Sequence, residues 1–278
     1  MLPSHVWRKI SSLKPGDLVV EYRGWREEIV SPISSYFPTV SEITSPCATH
    51  RDVYLHRVLA LKITPSSAMI RGKVLHEVFL SPLRAVIERG LAQKDLTERL
   101  ATLKNRILRE IPADLRRVAS RVYDIAASLA SSWAFNERKI PVLVEPFIEA
   151  SSVGLSDFVR PDLVVGLIPV EFVLGDKTSV KRKSLALTAY AMAIESIVHS
   201  PVNFGVVARV DLSNRVLRWH VTLLSDDLRE KLIEVRNVVA RIVATEDDPG
   251  KSPNCPESCP WREVCYGIPI CSRARIPG

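Results

Sequence analysis

Cysteines are concentrated near the C-terminus of this 278-residue chain, at a spacing that suits metal binding. The stretch CPESCPWREVC carries Cys255, Cys259 and Cys265, and Cys271 follows six residues later. The fifth cysteine, Cys47, stands far upstream. Thiolates hold either zinc or an iron–sulfur cluster, and spacing alone does not choose between them. A four-ligand cage closed by Cys47 and a local cage closed by Cys271 both remain open at this point.

Two acidic residues offer a second kind of chemistry. The stretch RPDLVVGLIPVEF places Asp162 and Glu171 on two predicted strands that flank a turn at Gly166. If the strands pair about that turn, both carboxylates reach the same end of a sheet. Such a pair binds a hard cation such as Mg²⁺, which can polarise a phosphate and activate a water molecule. Acidic residues at strand ends are also commonly just solvated.

A histidine lies within a predicted amphipathic helix. His76 follows Gly72 by one turn in RGKVLHEVF, so the two residues share a helix face. Glycine costs ~1 kcal/mol inside a helix, and its presence predicts close approach of another element. We interpret His76 as either a metal ligand or a satisfied core histidine.

The bulk composition indicates a globular protein with a polyanionic partner. Hydrophobic residues make up 46% of the chain, enough for one large domain or two closely joined ones. Lys and Arg outnumber Asp and Glu by 38 to 31, which favours nucleic acid. No apolar run approaches the ~20 residues of a membrane span, and the N-terminus lacks a secretory signal. We therefore expect a cytoplasmic protein. Gln93 is the only glutamine, a hint of a thermophilic source.

Hydrophobic periodicity predicts an α/β fold. Helices are expected over 47–62, from Ser66 or Ser67 to 91, over 94–110 and over 113–137. Short β-branched strands follow Pro141, then a helix over 183–198, a hairpin about residues 213–214, and a helix over 225–245. This order predicts a mixed sheet with a helical region at its front. The expected divisions are an irregular segment 1–45 with one short strand, a helical region 46–140, a core 141–246 and a cysteine tail 247–278.

Three stretches resemble one nuclease family. GKVLH is similar to the Gly-x-x-x-His motif of RecB-like nucleases, and Asp162 with VEF is similar to the Asp…Glu-x-Lys pair of the PD-(D/E)XK superfamily. CATHRDVYL at Cys47 resembles, without its proline, the helix that carries the first cluster cysteine in iron–sulfur members. The spacing C-x3-C-x5-C resembles their closing cysteines with one extra residue. The chain is thus similar to the CRISPR-associated RecB-like iron–sulfur exonucleases, the fourth core Cas family, and most similar to their archaeal type I-A branch.

This resemblance implies a cofactor set, a substrate and partners. It implies Mg²⁺ or Mn²⁺ on His76, Asp162 and Glu171. It also implies a 4Fe-4S cluster, for which the expected ligands are Cys47, Cys255, Cys259 and Cys265. The implied substrate is DNA, chiefly the single-stranded ends of prespacers in spacer acquisition, and the implied partners are the CRISPR integrase proteins. Ring-forming relatives make a homo-oligomer compatible with the resemblance.

The sequence departs from the family at two positions. Val173 stands where the family has a lysine that stabilises charge on the phosphate. Lys177 is the predicted catalytic replacement, although Lys181 or Lys183 could reach in from the next helix. Ala186 replaces the glutamine of a Gln-x-x-x-Tyr pair. Both departures favour an alternative, a catalytically impaired scaffold that binds DNA or the integrase.

Basic and aromatic residues near the proposed site are candidate DNA contacts. We predict DNA binding by Arg71, Lys181, Lys183 and Tyr190, because a cationic lip suits a phosphate backbone. Tyr190 could equally be a half-buried core aromatic, and a short charge run is often a solvated loop. Trp261 and Tyr266 in the cysteine tail are expected either to stack on bases or to shield a cluster from water.

Overall fold

A computed structural model describes most of the chain. The described residues are 2–13, 21–87, 95–135, 140–174, 180–255 and 259–267, without the side chains of residues 180 and 181. Lys177 and Cys271, together with the side chain of Lys181, therefore lie outside the described part. Among the described helices, none is long and apolar enough to cross a membrane.

The N-terminal segment is more helical than the sequence suggests. It holds α1 (Ser4–Ser11), α2 (Glu27–Val30) and α3 (Val40–Ile43), and its described residues form no strand where one was expected. The helix predicted over 47–62 is shorter, with α4 (Arg51–Val53) continuing into one π-helical stretch, Tyr54–Val58. It starts late because His50 adopts a left-handed backbone conformation with φ of 54°.

Three long helices form a layer in front of the sheet. They are α5 (Ser67–Ile87), α6 (Leu96–Glu110) and α7 (Arg116–Ala134), close to the predicted bounds. The hydroxyl of Ser66 accepts the backbone N–H of Met69 at 3.2 Å, as expected of a residue that caps the start of α5. Apolar residues of α5 and α7 pack on one face of the central sheet and form the larger core.

The central sheet is mixed, which confirms the predicted α/β class. Its strands are β1 (Val142–Val144), β4 (Leu163–Val165), β5 (Ile168–Leu174), β6 (Phe204–Asp211) and β7 (Val216–Leu223). They are ordered β1-β4-β5-β6-β7, with only β5 and β6 parallel. A separate two-stranded ribbon pairs β2 (Ile148–Glu149) with β3 (Phe158–Val159). The predicted hairpin joins β6 to β7 through residues 212–215.

A second helical layer covers the opposite face. The crossover helix α8 (Val180–Val198) connects β5 to β6, and α9 (Asp226–Thr245) packs beside it. Side chains of β5 alternate between the two layers. Phe172 belongs to the core under α5 and α7, whereas Val173 belongs to the core under α8. A short α10 (Arg262–Tyr266) lies in the cysteine tail.

A buried ion cluster joins the N-terminal segment to α8 and α9. Glu195 of α8 accepts hydrogen bonds from Arg23 at 2.9 Å and from Arg229 of α9 at 2.7 and 2.9 Å. The backbone N–H groups of Gly24 and Val202 also donate to this carboxylate. Because each oxygen of Glu195 has several donors, its buried charge is well compensated.

Candidate functional site

Histidine and aspartate meet at the end of β4. The Nε2 atom of His76, on α5, lies 2.9 Å from Oδ1 of Asp162. The other oxygen, Oδ2, accepts the backbone N–H of Phe172 at 2.6 Å. Strands β4 and β5 are antiparallel about Gly166, with Leu163 opposite Val170. The next position along this register pairs Asp162 with Glu171, so the predicted strand pairing places the two carboxylates side by side, with Glu171 in the middle of β5.

Glu171 is buried and has two side-chain partners from α8. Its carboxylate pairs with the ammonium group of Lys183. The hydroxyl of Tyr190 also donates a hydrogen bond to this carboxylate. Positions 183 and 190 are seven residues apart, two turns along α8, so both side chains lie on the same face of that helix.

The electrostatics of these groups indicate a site suited to a cation. Burial and the charge of Asp162 raise the pKa of Glu171 to about 7, although Lys183 opposes this shift. Burial lowers the pKa of His76, but the hydrogen bond to Asp162 and the charges of Asp162 and Glu171 outweigh it, and the net shift is upward. A bound divalent ion would oppose the rise in the pKa of Glu171, because it stabilises the charged carboxylate.

The donor set fits a hard divalent ion. Carboxylate oxygens of Asp162 and Glu171 and the imidazole nitrogen of His76 are ligands that Mg²⁺ or Mn²⁺ accepts. A second group nearby consists of His76, Glu77 and Glu145, whose ligand atoms lie within 4.8 Å of one another. Both of these glutamates already form ion pairs, Glu77 with Arg84 and Glu145 with Arg84 and Arg160. Glu171 is likewise paired, with Lys183, so ion pairing does not distinguish the two groups. They differ in burial, because Asp162 and Glu171 are buried whereas Glu77 is exposed.

Lys183 reaches Glu171 from α8, whereas a strand lysine would reach it from β5. Val173 lies on the same face of β5 as Glu171 and is buried under α8. The sequence predicts Lys177 as the catalytic lysine, with Lys181 or Lys183 as alternatives, and it also predicts Lys183 as a DNA contact. Two sequence signals point to Lys183: the two-residue period that turns Glu171 toward the crossover helix, and the shared helix face of positions 183 and 190.

Two expectations about neighbouring residues differ from the structure. Gly72 was predicted to allow close approach of another element, and that prediction is wrong for the described residues. A Cβ atom built on Gly72 would meet no protein atom within 4 Å. Tyr190 is buried and bonded to Glu171, so its contact in the structure is with the carboxylate. Ala186, at the glutamine position, is buried in the core beneath α8.

Most of the described basic residues near the site are exposed, but one of them is paired with a carboxylate. Arg71 and Lys73 on α5 and Arg182 on α8 are exposed. Lys183 is partly buried and paired with Glu171, which separates it from these surface cations.

The structure brings Cys47 together with three cysteines of the tail. The thiols of Cys47, Cys259 and Cys265 are close enough to Cys255 that burial and these neighbours raise its pKa. A mostly apolar cavity of about 240 Å³ is lined by three of the four, Cys47, Cys255 and Cys259. An all-sulfur donor set with apolar walls fits a thiolate-bound metal centre.

Contacts other than those of the cysteines also hold the region around Cys47 against the C-terminal region of the chain. Arg51 pairs with Asp248 at 2.6 Å, and the hydroxyl of Thr49 donates to the carbonyl of Gly250 at 2.9 Å. Trp261 is buried and packs with Leu55 and Cys265. That position suits shielding of the cysteine centre rather than stacking on a base.

Comparison with known proteins identifies the family. Residues 4–268 match the family model described as CRISPR-associated exonuclease Csa1. The chain belongs to the Csa1 family of CRISPR-associated exonucleases. A curated Csa1 exonuclease from Thermoproteus tenax is 28% identical over 90% of this chain and 92% of its own length. Another from Saccharolobus solfataricus is 25% identical over 91% of this chain and 94% of its own length. The Csa1 match spans the carboxylate site and the four cysteines Cys47, Cys255, Cys259 and Cys265.

Proposed function

We propose that the chain is a metal-dependent DNA exonuclease of the RecB-like, PD-(D/E)XK type that processes prespacer DNA during CRISPR spacer acquisition. The observation that carries this proposal is the convergence of His76, Asp162, Glu171 and Lys183 beside the paired strands β4 and β5. Membership of a family of CRISPR-associated exonucleases supports the reaction class.

Each residue has a defined task in this proposal. His76, Asp162 and Glu171 would hold Mg²⁺ or Mn²⁺, which polarises the scissile phosphate and lowers the pKa of an attacking water molecule. Lys183 would stabilise the charge that develops on the phosphate, in place of the lysine absent at Val173. Tyr190 would keep the Glu171 carboxylate oriented through its hydroxyl hydrogen bond.

The cysteine centre has a structural role in the same proposal. Cys47, Cys255, Cys259 and Cys265 would hold a 4Fe-4S cluster that joins the N-terminal region to the tail. Anaerobically purified protein should be brown with iron–sulfur absorption, and Cys47→Ser should lose that absorption. A colourless protein that contains zinc would contradict the cluster assignment.

The partners follow from the same proposal. The substrate would be single-stranded ends of prespacer DNA, and the integrase proteins would receive the trimmed product. The rival function is a catalytically impaired scaffold, which the residues Val173 and Ala186 favour. The position of Lys183 beside Glu171 supplies a cation that weighs against this rival.

A cleavage assay tests the nuclease proposal. End-labelled single-stranded DNA is incubated with Mn²⁺ and either wild type, Asp162→Ala, or the exposed control Asp247→Ala. Wild type and the control should cut, and Asp162→Ala should not. If no protein cuts while the cysteine centre is intact, the nuclease proposal is wrong, and binding to DNA and integrase becomes the function to measure.

A further inference from the structure

Two phenylalanine rings are exposed on the β2–β3 ribbon. Phe147 and Phe158 are 70% and 58% exposed, and they contact each other edge to face with ring centroids 6.2 Å apart. Their neighbours Ile148 and Val159 point the other way and are buried in the core beneath α8. The inner face of the ribbon therefore packs on the core, while two aromatic rings on its outer face are exposed to solvent. No packing contact within the described residues accounts for this exposure.

An arginine completes this surface. The guanidinium carbon of Arg160 lies 5.0 Å from the ring centroid of Phe147. The same side chain is positioned by the carbonyl of Glu145 at 3.3 Å and its carboxylate at 3.2 Å. Arg160 is thus held in place over the ring, yet its side chain remains 48% exposed. A flat aromatic face beside a fixed cation suits a nucleobase and its phosphate.

The aromatic surface is close to the carboxylate site. Phe147 lies two residues beyond Glu145, whose backbone N–H donates to the carbonyl of Asp162 at 3.0 Å. Arg160 lies two residues before Asp162. Because two residues of extended chain span at most ~7 Å, the backbone of Arg160 lies within that distance of Asp162, and the backbone of Phe147 within that distance of Glu145, so this surface borders the carboxylate site.

We propose that Phe147, Phe158 and Arg160 form a stacking platform that holds a base of single-stranded DNA next to the scissile phosphate. This inference rests on the proposed nuclease function. Single-stranded DNA is the fitting occupant because the bases of a duplex are hidden within the stack. Arg160 places a positive charge beside the Phe147 ring, which complements a phosphate backbone.

The test measures whether binding depends on the bases. Fluorescence anisotropy compares a dye-labelled single-stranded oligonucleotide with the same oligonucleotide carrying abasic sites, in EDTA so that no cleavage occurs. Wild type should bind the base-bearing strand about tenfold or more tightly. Phe147→Ala and Phe158→Ala should each reduce this preference severalfold, and the double variant should abolish it. The control Phe135→Ala removes another ring, 59% exposed at the end of α7, and should behave as wild type.

The outcomes separate this inference from the nuclease proposal. A double variant that melts like wild type but keeps the full preference for bases overturns the platform, as does a wild type without that preference. If wild type cuts DNA with Mn²⁺ in either of these two cases, the nuclease proposal still holds. A wild type that prefers base-bearing DNA through these rings but never cuts with Mn²⁺ overturns the nuclease proposal and leaves the platform.

Discussion

Lys183 occupies a position that no strand motif identifies. The superfamily pattern places a lysine two residues after the glutamate, where this chain has the buried Val173. Glu171 faces α8, and the first turn of that helix passes directly over it. A lysine on the helix therefore meets the same carboxylate that a strand lysine would meet. Ala186 and Tyr190 follow it along α8, and both are buried.

The identity of the catalytic lysine can be decided by substitution. Lys183→Met should lower the cleavage rate by about 10²–10³-fold, because it removes a charge aimed at the phosphate in the transition state. Lys177→Met is the matched comparison and should have a much smaller effect. Single-turnover cleavage with Mn²⁺ measures both. If Lys177→Met has the larger effect, the role assigned to Lys183 is wrong.

Glu171 should make the stability of the metal-free protein depend on pH. Its pKa is raised from 4.5 to about 7, so between these values the folded state keeps a proton that the unfolded chain has released. Stability therefore falls as pH rises through this range. Glu171→Gln cannot ionise and should not show this loss. Its melting temperature relative to wild type should rise between pH 5 and pH 8 in EDTA.

Two controls accompany that measurement. The exposed Glu110→Gln should follow wild type at every pH. Addition of Mn²⁺ at pH 8 should raise the melting temperature of wild type more than that of Glu171→Gln, because the ion binds the folded state. A constant difference between Glu171→Gln and wild type across pH would contradict the raised pKa.

Gly72 lowers the stability of α5, and no contact within the described fold requires a glycine at this position. A Cβ atom at this position would meet open space, so Gly72→Ala should stabilise the protein by about 1 kcal/mol through helix propensity alone. Gly205 on β6 is the contrasting control, because its Cβ would lie 2.8 Å from the Cβ of Leu187. Chemical denaturation should show opposite signs for Gly72→Ala and Gly205→Ala. A destabilised Gly72→Ala would contradict the open environment.

Local patterns predicted the long elements well and the short ones poorly. The helices α5 to α9 and the hairpin β6–β7 follow from periodicity and turn residues, since each buries a continuous apolar face. The N-terminal helices α1 to α3 were missed because they are at most eight residues long, too short for a clear period. The pairing of Asp162 with Glu171 followed from the turn at Gly166. Periodicity also points to Lys183, whereas the exposure of Phe147 and Phe158 depends on which face of the ribbon packs on the core, which one sequence does not reveal.

The N-terminal segment is joined to the rest of the protein by charge as well as by packing. Glu195 links Arg23 to Arg229, and the side chains of Glu195 and Arg229 have no exposed surface. Glu195→Ala should destabilise the protein by about 3–5 kcal/mol, because it leaves buried cations uncompensated. The exposed pair Lys231–Glu234 offers the control, and Glu234→Ala should cost about 0–1 kcal/mol. Guanidinium denaturation of both variants measures the difference, and equal costs would contradict the prediction.

The meeting of Cys47 with the tail cysteines has a consequence for how the protein is made. Cys47 and Cys255 are 208 positions apart (255 minus 47). At ~5–20 residues per second, translation separates the synthesis of these two residues by about 10–40 s. The residues of the sheet and its carboxylates are therefore synthesised before the last of the four cysteines. Chains that terminate before Cys265 would carry His76, Asp162, Glu171 and Lys183 but not all four thiols, so the four thiols can meet only in chains that extend past Cys265.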